Sequence, residues 1–217
     1  MSDRIAVCNL CVEAGAKTAL MEADEVALDY LAQQGRAPKH VFRADPDAVY
    51  AETYDIDLSE IVPVVAKPHF VDQVVPAVEC LGTHIDEAFL GSCNNGRIED
   101  LRAGAAILKG RKVADTVRFL VVPASAGVYR QALEEGLLKI FMEAGAIVMN
   151  ANCSVCWGSC QGVIGEGETL ISTGTRNFKG RAGHPNSFVY LASAETVTAS
   201  AIAGEITTAD RLPKLEV

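Results

Sequence analysis

The second half of the chain alternates short apolar runs with longer stretches of helical spacing. The apolar runs predict buried strands at residues 85–90, 117–122 and 146–150. Helical spacing between these runs predicts helices at residues 98–108 and 128–144. Strands that alternate with helices in this way are typical of a parallel α/β sheet. We therefore expect a three-layer fold with helices on both faces of the sheet.

The last third of the chain continues this domain. Two further strands are predicted at residues 169–172 and 187–191, and an alanine-rich helix is predicted at residues 194–204. No internal repeat and no low-complexity tract interrupts the pattern. These features assign residues 76–217 to one α/β domain.

The pattern before residue 76 is different and less regular. Residues 1–35 have apolar positions at helical spacing, and Gly15 divides them into two predicted helices. Residues 36–60 are acidic and irregular, with a short strand expected at residues 50–56. Residues 1–75 are therefore predicted to form a partial α/β domain of their own.

Composition and charge exclude several classes of partner. The formal net charge of −9 disfavours nucleic acid and anionic membrane surfaces as partners, although local arginines can still bind anionic substrates. No apolar run approaches the roughly 18–20 residues of a membrane span. The first residues do not have the pattern of a signal peptide. We therefore expect a cytoplasmic protein that binds neither nucleic acid nor membrane.

The cysteines are the candidate functional residues. There are seven, an odd number, and structural disulfides are rare in the cytoplasm, so metal binding or redox chemistry is expected of some of them. Cys93 follows the first strand of the alternating pattern, and Cys153 and Cys156 follow the third. Because parallel strands end at the same edge of a sheet, these three thiols are predicted to lie close together.

The sequence around Cys93 favours metal ligation. The residue lies shortly before a predicted helix, and a thiol near a helix N-terminus has a lowered pKa, so its thiolate form is favoured. Gly91 and Gly96 are expected to allow a close approach of the backbone and to direct N–H groups toward the sulfur.

Three thiolates leave several interpretations open. A structural zinc site requires four ligands, whereas a cubane cluster held by three cysteines leaves one iron free to act as a Lewis acid. Cys160 is a possible fourth ligand, and it would change the interpretation to zinc binding or electron transfer. Arg176 and Arg181 are suited to hold a carboxylate, but they are also compatible with an ordinary exposed basic loop.

Four ordered motifs carry a resemblance to a known family. They are G-S-C-x-N-G-R-I-E-D-L-R from Gly91, C-x-x-C from Cys153, G-x-G-E from Gly165 and R-N-F-x-G-R from Arg176. Over nearly its whole length the sequence resembles the aconitase superfamily. Within that superfamily it is most similar to the large subunits of 3-isopropylmalate dehydratase and homoaconitase.

The resemblance implies a [4Fe–4S] hydro-lyase. In such an enzyme Cys93, Cys153 and Cys156 would hold three irons, and the fourth iron would bind the hydroxyl and a carboxylate of the substrate. Arg176 and Arg181 would hold a substrate carboxylate. The substrate would be a hydroxy di- or tricarboxylate. The first candidate is 3-isopropylmalate, an intermediate of leucine biosynthesis.

Other positions match the family less completely. Asn9 and Glu13 match positions that lie near the cluster and its bound water, and they are the candidate catalytic residues. Asn94 stands where the family usually has threonine, and Thr175 stands where several members have asparagine. Cys160 lies where family members mostly have no ligand, so we interpret it as non-ligating.

The resemblance also implies missing parts. Large subunits of this family are about twice as long, and the match begins at their middle, so residues 1–75 would be the remnant of a preceding domain. The expected partners are a dehydratase small subunit and a chain that supplies the missing N-terminal half. Without them the chain is expected to be inactive and to expose apolar surface on residues 1–60. The alternatives are an inactive fragment, a metal or iron–sulfur binding module, or a redox protein.

Overall fold

The protein is described by a computed structural model that covers residues 1–215, and it consists of two compact units. The first unit is Met1–Ile61, and the second begins at Val62 and includes the rest of the described chain. Residues 62–75 therefore have their contacts in the second unit. The assignment of residues 1–75 to a preceding domain stays a prediction.

The first unit contains two α-helices, α1 (Ser2–Leu10) and α2 (Glu25–Gln33). A 3-10 helix, Cys11–Ala14, extends α1 and ends at Gly15, whose φ of 82° lies in the left-handed region. This confirms the predicted interruption, because a left-handed residue cannot continue a right-handed helix. A second 3-10 helix is Leu58–Glu60.

The prediction of a strand at residues 50–56 is wrong. None of these residues is in a strand, and all of them are exposed. A strand needs a neighbouring strand to satisfy its backbone N–H and C=O groups, and the first unit contains no strand in the structure.

The first unit has almost no core. Ser2 is its only residue classed as buried. Many of its large apolar side chains are exposed, as predicted for residues 1–60, and Leu20, Phe42 and Val49 are exposed to 91%, 82% and 96%. Isolated exposed apolar residues are normal, whereas contiguous exposed apolar patches are typical of interaction surfaces.

The second unit is built on one seven-stranded sheet in the order β2-β1-β7-β6-β3-β4-β5. Its strands are β1 (Val64–Ala66), β2 (Val74–Pro76), β3 (Glu87–Gly91), β4 (Arg118–Val122), β5 (Ile147–Val148), β6 (Thr169–Ser172) and β7 (Phe188–Ala192). The strands from β7 to β5 are parallel, and β1 is antiparallel to both β2 and β7. The α/β class is confirmed, with a mixed sheet in place of a wholly parallel one.

Five α-helices follow the strands. They are α3 (Ser92–Asn95), α4 (Ile98–Leu108), α5 (Ala126–Glu134), α6 (Leu137–Glu143) and α7 (Ala194–Ala203). The single helix predicted at residues 128–144 is divided into α5 and α6 at Gly136, whose φ of 75° is left-handed. None of the helices within residues 1–215 combines the length and the apolar character that crossing a membrane requires.

The two faces of the sheet are covered differently. Residues of α4, α5, α6 and α7 pack together with Ala88 and Leu90 on one face. Phe89 points to the other face, as alternation along a strand requires, and there it packs with Val155 and Ile164. In the described chain this second face is therefore covered by the segment that follows β5, and the helices expected on both faces lie on one.

A carboxylate is buried at the start of β3. Glu87 has no exposed surface, and Arg118 Nε donates to its Oε2 at 3.0 Å. The same arginine forms a bidentate pair with Glu168 at 3.1 and 3.0 Å. Burial raises the pKa of Glu87 to about 7, from a usual value of 4.5, because loss of hydration outweighs the attraction of Arg118.

This raised pKa predicts a stability that falls as the pH rises. Between about pH 4.5 and pH 7 the folded protein holds a proton on Glu87 that the unfolded chain has lost, so folding is favoured on the acid side. Urea unfolding should show a loss of up to about 3 kcal/mol from this group across that range. Glu87→Gln cannot ionise and should reduce this decline, whereas Glu134→Gln, at an exposed position, should leave it unchanged. Equal pH dependence of Glu87→Gln and wild type would contradict the assignment.

Candidate functional site

Cys93 lies in a single helical turn that begins directly after β3. The predicted turn is α3, and the Cys93 side chain is exposed in it. Ser92, the first residue of α3, has a φ of 83°, which is unfavourable for a residue with a Cβ. Such a conformation persists where the surrounding structure enforces it. The strand therefore changes direction at Ser92 and leaves Cys93 at the end of the sheet.

Gly91 and Gly96, on either side of Cys93, have no room for a side chain. A Cβ on Gly91 would lie 2.9 Å from Val122 Cβ, and a Cβ on Gly96 would lie 2.5 Å from the carbonyl oxygen of Val122. The expected close approach of the backbone is confirmed. The N–H groups of these glycines do not donate to the sulfur of Cys93. Gly91 N donates to Thr173 Oγ1, and Gly96 N donates to the carbonyl of Ser92. The expected donation to sulfur is wrong for these two groups.

The second pair of cysteines lies in a compact loop after β5. Cys153 precedes the 3-10 helix Ser154–Cys156, and it is exposed whereas Cys156 is half-buried. Val155, between them, has no exposed surface and belongs to the apolar cluster on the second face of the sheet. The loop is closed by Ser154 Oγ, which donates to the carbonyl of Gln161 at 2.8 Å. Apolar packing and this hydrogen bond fix the C-x-x-C pair against the sheet.

The three predicted ligands lie near one another. Burial raises the pKa of the Cys156 thiol, and the neighbouring Cys93 and Cys153 side chains raise it further. Arg181 acts in the opposite direction, through its charge and a hydrogen bond to the thiol. The structure therefore brings Cys93, Cys153, Cys156 and Arg181 together at the end of the sheet.

Cys160 has different partners. Its thiol is exposed and lies 3.7 Å from Asn152 Oδ1 and 3.5 Å from the carbonyl oxygen of Ser154. It is not among the groups that shift the pKa of Cys156. These contacts favour a role in closing the loop over a role as fourth ligand.

The thiols are not arranged as the ligands of a single metal ion. Within residues 1–215 no group of three or more His, Cys, Asp or Glu side chains is placed to hold one metal ion. The cysteines of an iron–sulfur cluster bind different irons, so they stand further apart than the ligands of one ion. A cubane with one free iron uses three thiol ligands, whereas a closed zinc site uses four.

The two arginines are held in place by neighbouring groups. Arg181 is half-buried, and its Nε donates to the carbonyl of Cys156 at 2.8 Å. Arg176 is also half-buried and donates from Nη1 to Thr175 Oγ1 at 2.5 Å. Asn177 has no exposed surface and donates to the carbonyl of Lys67 at 2.8 Å. This anchoring disfavours the ordinary exposed loop.

The candidate catalytic residues belong to the other unit. Asn9 lies on α1, and Glu13 lies on the 3-10 helix Cys11–Ala14, both in the first unit. The cysteines and arginines belong to the second unit. A position of Asn9 and Glu13 beside the cluster stays a prediction.

One residue of the site was missed by the sequence reasoning. Thr173 is buried directly after β6, and its hydroxyl contacts the segment that carries Cys93. Its position after a predicted strand, at the edge where the cysteines were expected, was the available signal. A threonine has many uses at a strand end, so the sequence alone does not select it.

Comparison with known proteins identifies the family of this chain. A model of the aconitase family (aconitate hydratase) matches residues 1–82 and 76–204. The chain belongs to the aconitase family. The match includes the segments that carry Cys93, Cys153, Cys156, Arg176 and Arg181.

Relatives of this family member are named as dehydratase large subunits. The chain is 51% identical over 207 residues to the probable 3-isopropylmalate dehydratase large subunit of Methanothermobacter thermautotrophicus, covering 95% of this chain and 49% of that protein. It is 46% identical over 221 residues to the 3-isopropylmalate dehydratase large subunit of Aquifex aeolicus, covering 100% of this chain and 51% of that protein. The chain spans about half the length of the curated relatives it matches.

The loop packing in this family member can be tested at Gly158. Its φ is 71°, and a Cβ there would lie 2.2 Å from the carbonyl oxygen of Arg181. Gly158→Ala should therefore lose about 1–2 kcal/mol from the left-handed backbone and about 1–3 kcal/mol more from the clash. Gly167→Ala is the matched control, because its φ is 77° and nothing lies within 4 Å of the added Cβ. Equal losses in chemical unfolding would show that the approach to Arg181 is not tight.

Proposed function

We propose that this chain is the cluster-binding part of a hydro-lyase large subunit that acts on a hydroxy di- or tricarboxylate. The substrate we assign to it first is 3-isopropylmalate. The observation that carries the proposal is that Cys93 follows β3 and the loop of Cys153 and Cys156 follows β5 at the same end of the parallel sheet, where Arg181 donates to the carbonyl of Cys156. Relatives named as 3-isopropylmalate dehydratase large subunits support the choice of substrate. A cytoplasmic location is part of the proposal.

In this proposal Cys93, Cys153 and Cys156 hold a [4Fe–4S] cluster. When bound, the cluster supplies a Lewis acid at the iron that no cysteine ligates. Cys93 and Cys153 are exposed and Cys156 is half-buried, so the three sulfurs have an open side toward solvent. A substrate can approach from that side while Val155 keeps the opposite side packed.

Arg176 and Arg181 bind the substrate carboxylate. A guanidinium donates two parallel hydrogen bonds to a carboxylate, and a fixed guanidinium loses little freedom on binding. Cys156 holds Arg181, and Thr175 holds Arg176, before any substrate arrives. An electron carrier has no need of such a carboxylate site, so the arginines favour the hydro-lyase over the redox alternative. Asn9 and Glu13 are assigned to the surroundings of the bound water.

The chain requires partners for activity. Its first unit exposes large apolar side chains and contains one residue classed as buried. The relatives contain about as many residues again as they share with this chain. We assign the exposed surface of Met1–Ile61 to contact with a chain that corresponds to the unmatched half of the relatives. A small subunit is the second partner, and the chain alone is inactive.

Cluster binding predicts a specific pattern in cysteine variants. Anaerobic reconstitution with iron and sulfide, followed by EPR of the reduced protein, should give a four-iron signal in wild type and in Cys160→Ala. Cys93→Ala, Cys153→Ala and Cys156→Ala should each lose that signal, because each removes a ligand of a separate iron. A hydroxy-dicarboxylate should shift the wild-type signal by binding at the open iron.

The same experiment can overturn the proposal. Loss of the signal in Cys160→Ala would make Cys160 a fourth ligand and favour electron transfer. Tight binding of one zinc in place of the cluster would favour a structural metal site.

Contact with the missing half predicts a second result. A chain that corresponds to the unmatched half of the relatives, expressed together with this one, should copurify and elute with it as one complex. Phe42→Asp with Val49→Asp should weaken that complex at least about tenfold, because charges replace apolar contacts at an interface. Leu133→Asp on α5, in the second unit, is the control for a charge at an exposed apolar position, 60% exposed in wild type. Unchanged binding by the Phe42 and Val49 variant would exclude this surface as the interface.

A further inference from the structure

The segment that carries Cys93 is tied to the end of β6 through one side chain. Thr173 is the residue after β6 and is 1% exposed. Its Oγ1 accepts a hydrogen bond from Gly91 N at 2.9 Å. The same hydroxyl donates toward the carbonyl oxygens of Gly91 at 3.1 Å and Asn95 at 3.3 Å. One hydroxyl therefore contacts both ends of the turn that contains Cys93.

The backbone of Thr173 completes the connection. Its N–H donates to the carbonyl of Phe89 at 2.9 Å, and its carbonyl accepts from Asn95 Nδ2 at 2.6 Å. The parallel pairing of β3 with β6 ends at Phe89 and Ser172, so these bonds continue the connection beyond the sheet. The side chain is needed because the ladder between the two strands has ended.

The turn itself is in a conformation that needs support. Ser92 lies between the two contacts of Thr173 and has the unfavourable φ of 83°. Gly96 closes the turn with no space for a Cβ, since Ser92 O would lie 2.8 Å from it. Gly96 is therefore packed closely against the rest of the turn, and the hydroxyl of Thr173 contacts the turn at Gly91 and Asn95.

We propose that Thr173 is the positioning residue that holds Cys93 in place for cluster binding, an inference that rests on the proposed function. Its hydroxyl fixes the backbone on both sides of the cysteine and does not ligate the metal. Groups that orient a ligand in this way typically change metal affinity by about 10- to 100-fold when they are removed. The same residue precedes the loop of Arg176 and Arg181, so it also fixes the distance between the cysteine turn and that loop.

Three variants separate this role from ordinary stabilisation. Thr173→Val keeps the shape and removes the hydroxyl, and Thr173→Ser restores the hydroxyl. Ser200→Ala is the matched control, because Ser200 is also fully buried and its hydroxyl also joins two backbone segments. That hydroxyl donates to the carbonyl of Thr196 at 2.7 Å and accepts from Thr207 N at 3.1 Å, within the helical layer.

The measurement is the rate of iron release to a chelator from the anaerobically reconstituted full chain, together with thermal unfolding of the metal-free protein. Thr173→Val should release iron about tenfold faster than wild type or more, and Thr173→Ser should be close to wild type. Ser200→Ala should lower the unfolding temperature without changing iron release. Equal iron release by Thr173→Val and wild type, or faster release by Ser200→Ala to the same extent, would overturn the inference.

A second readout does not depend on the cluster. Hydrogen exchange of the Gly91 amide in the metal-free protein should be at least about tenfold faster in Thr173→Val, because the amide loses its acceptor. Unchanged exchange would overturn the inference even if wild type bound no cluster. If wild type took up no cluster but exchange was faster in Thr173→Val, the proposed function would be rejected. The hydrogen bond between Gly91 N and Thr173 Oγ1 would still be supported.

Discussion

The parallel pairing of β3 with β4 on one side and β6 on the other is the constraint on which the candidate site depends. The three strands run in the same direction and end at the same edge of the sheet. The segments that leave them therefore start as neighbours, however far apart they are in sequence. Cys93 leaves from β3, Thr173 leaves from β6, and the loop of Cys153 and Cys156 follows β5 beside β4. This is the edge where open α/β sheets bind their ligands.

The loop that carries Cys153 and Cys156 is also part of the core. Helices cover one face of the sheet, and the other face is covered by Val155 and Ile164 of the segment after β5 and by Ala182 of the segment after β6. The position of Cys153 and Cys156 is therefore stabilised by burial of apolar surface. The open site differs in this respect from small zinc domains, in which the metal itself supplies the folding energy.

The first unit, unlike the second, has little burial of its own apolar side chains. It contains regular helices, but burial of apolar side chains, the main source of folding stability, is almost absent within Met1–Ile61. A segment of this kind is stabilised by what it contacts outside itself. The chain spans about half the length of its relatives, and the partner proposed for this unit is a chain that corresponds to their unmatched half.

The sequence by itself determined the α/β class, most of the strands and helices, the aconitase-family motifs and the residues of the candidate site other than Thr173. These follow from local periodicity and from residue types, which are properties of short segments. Only the tertiary structure decided which face the helices cover and that β1 is antiparallel. It alone also showed that Cys160 contacts Asn152 and Ser154 of its own loop and that Thr173 contacts the turn of Cys93. Each of these depends on contacts between segments that are distant in the chain, and such contacts leave no periodic signal in the sequence.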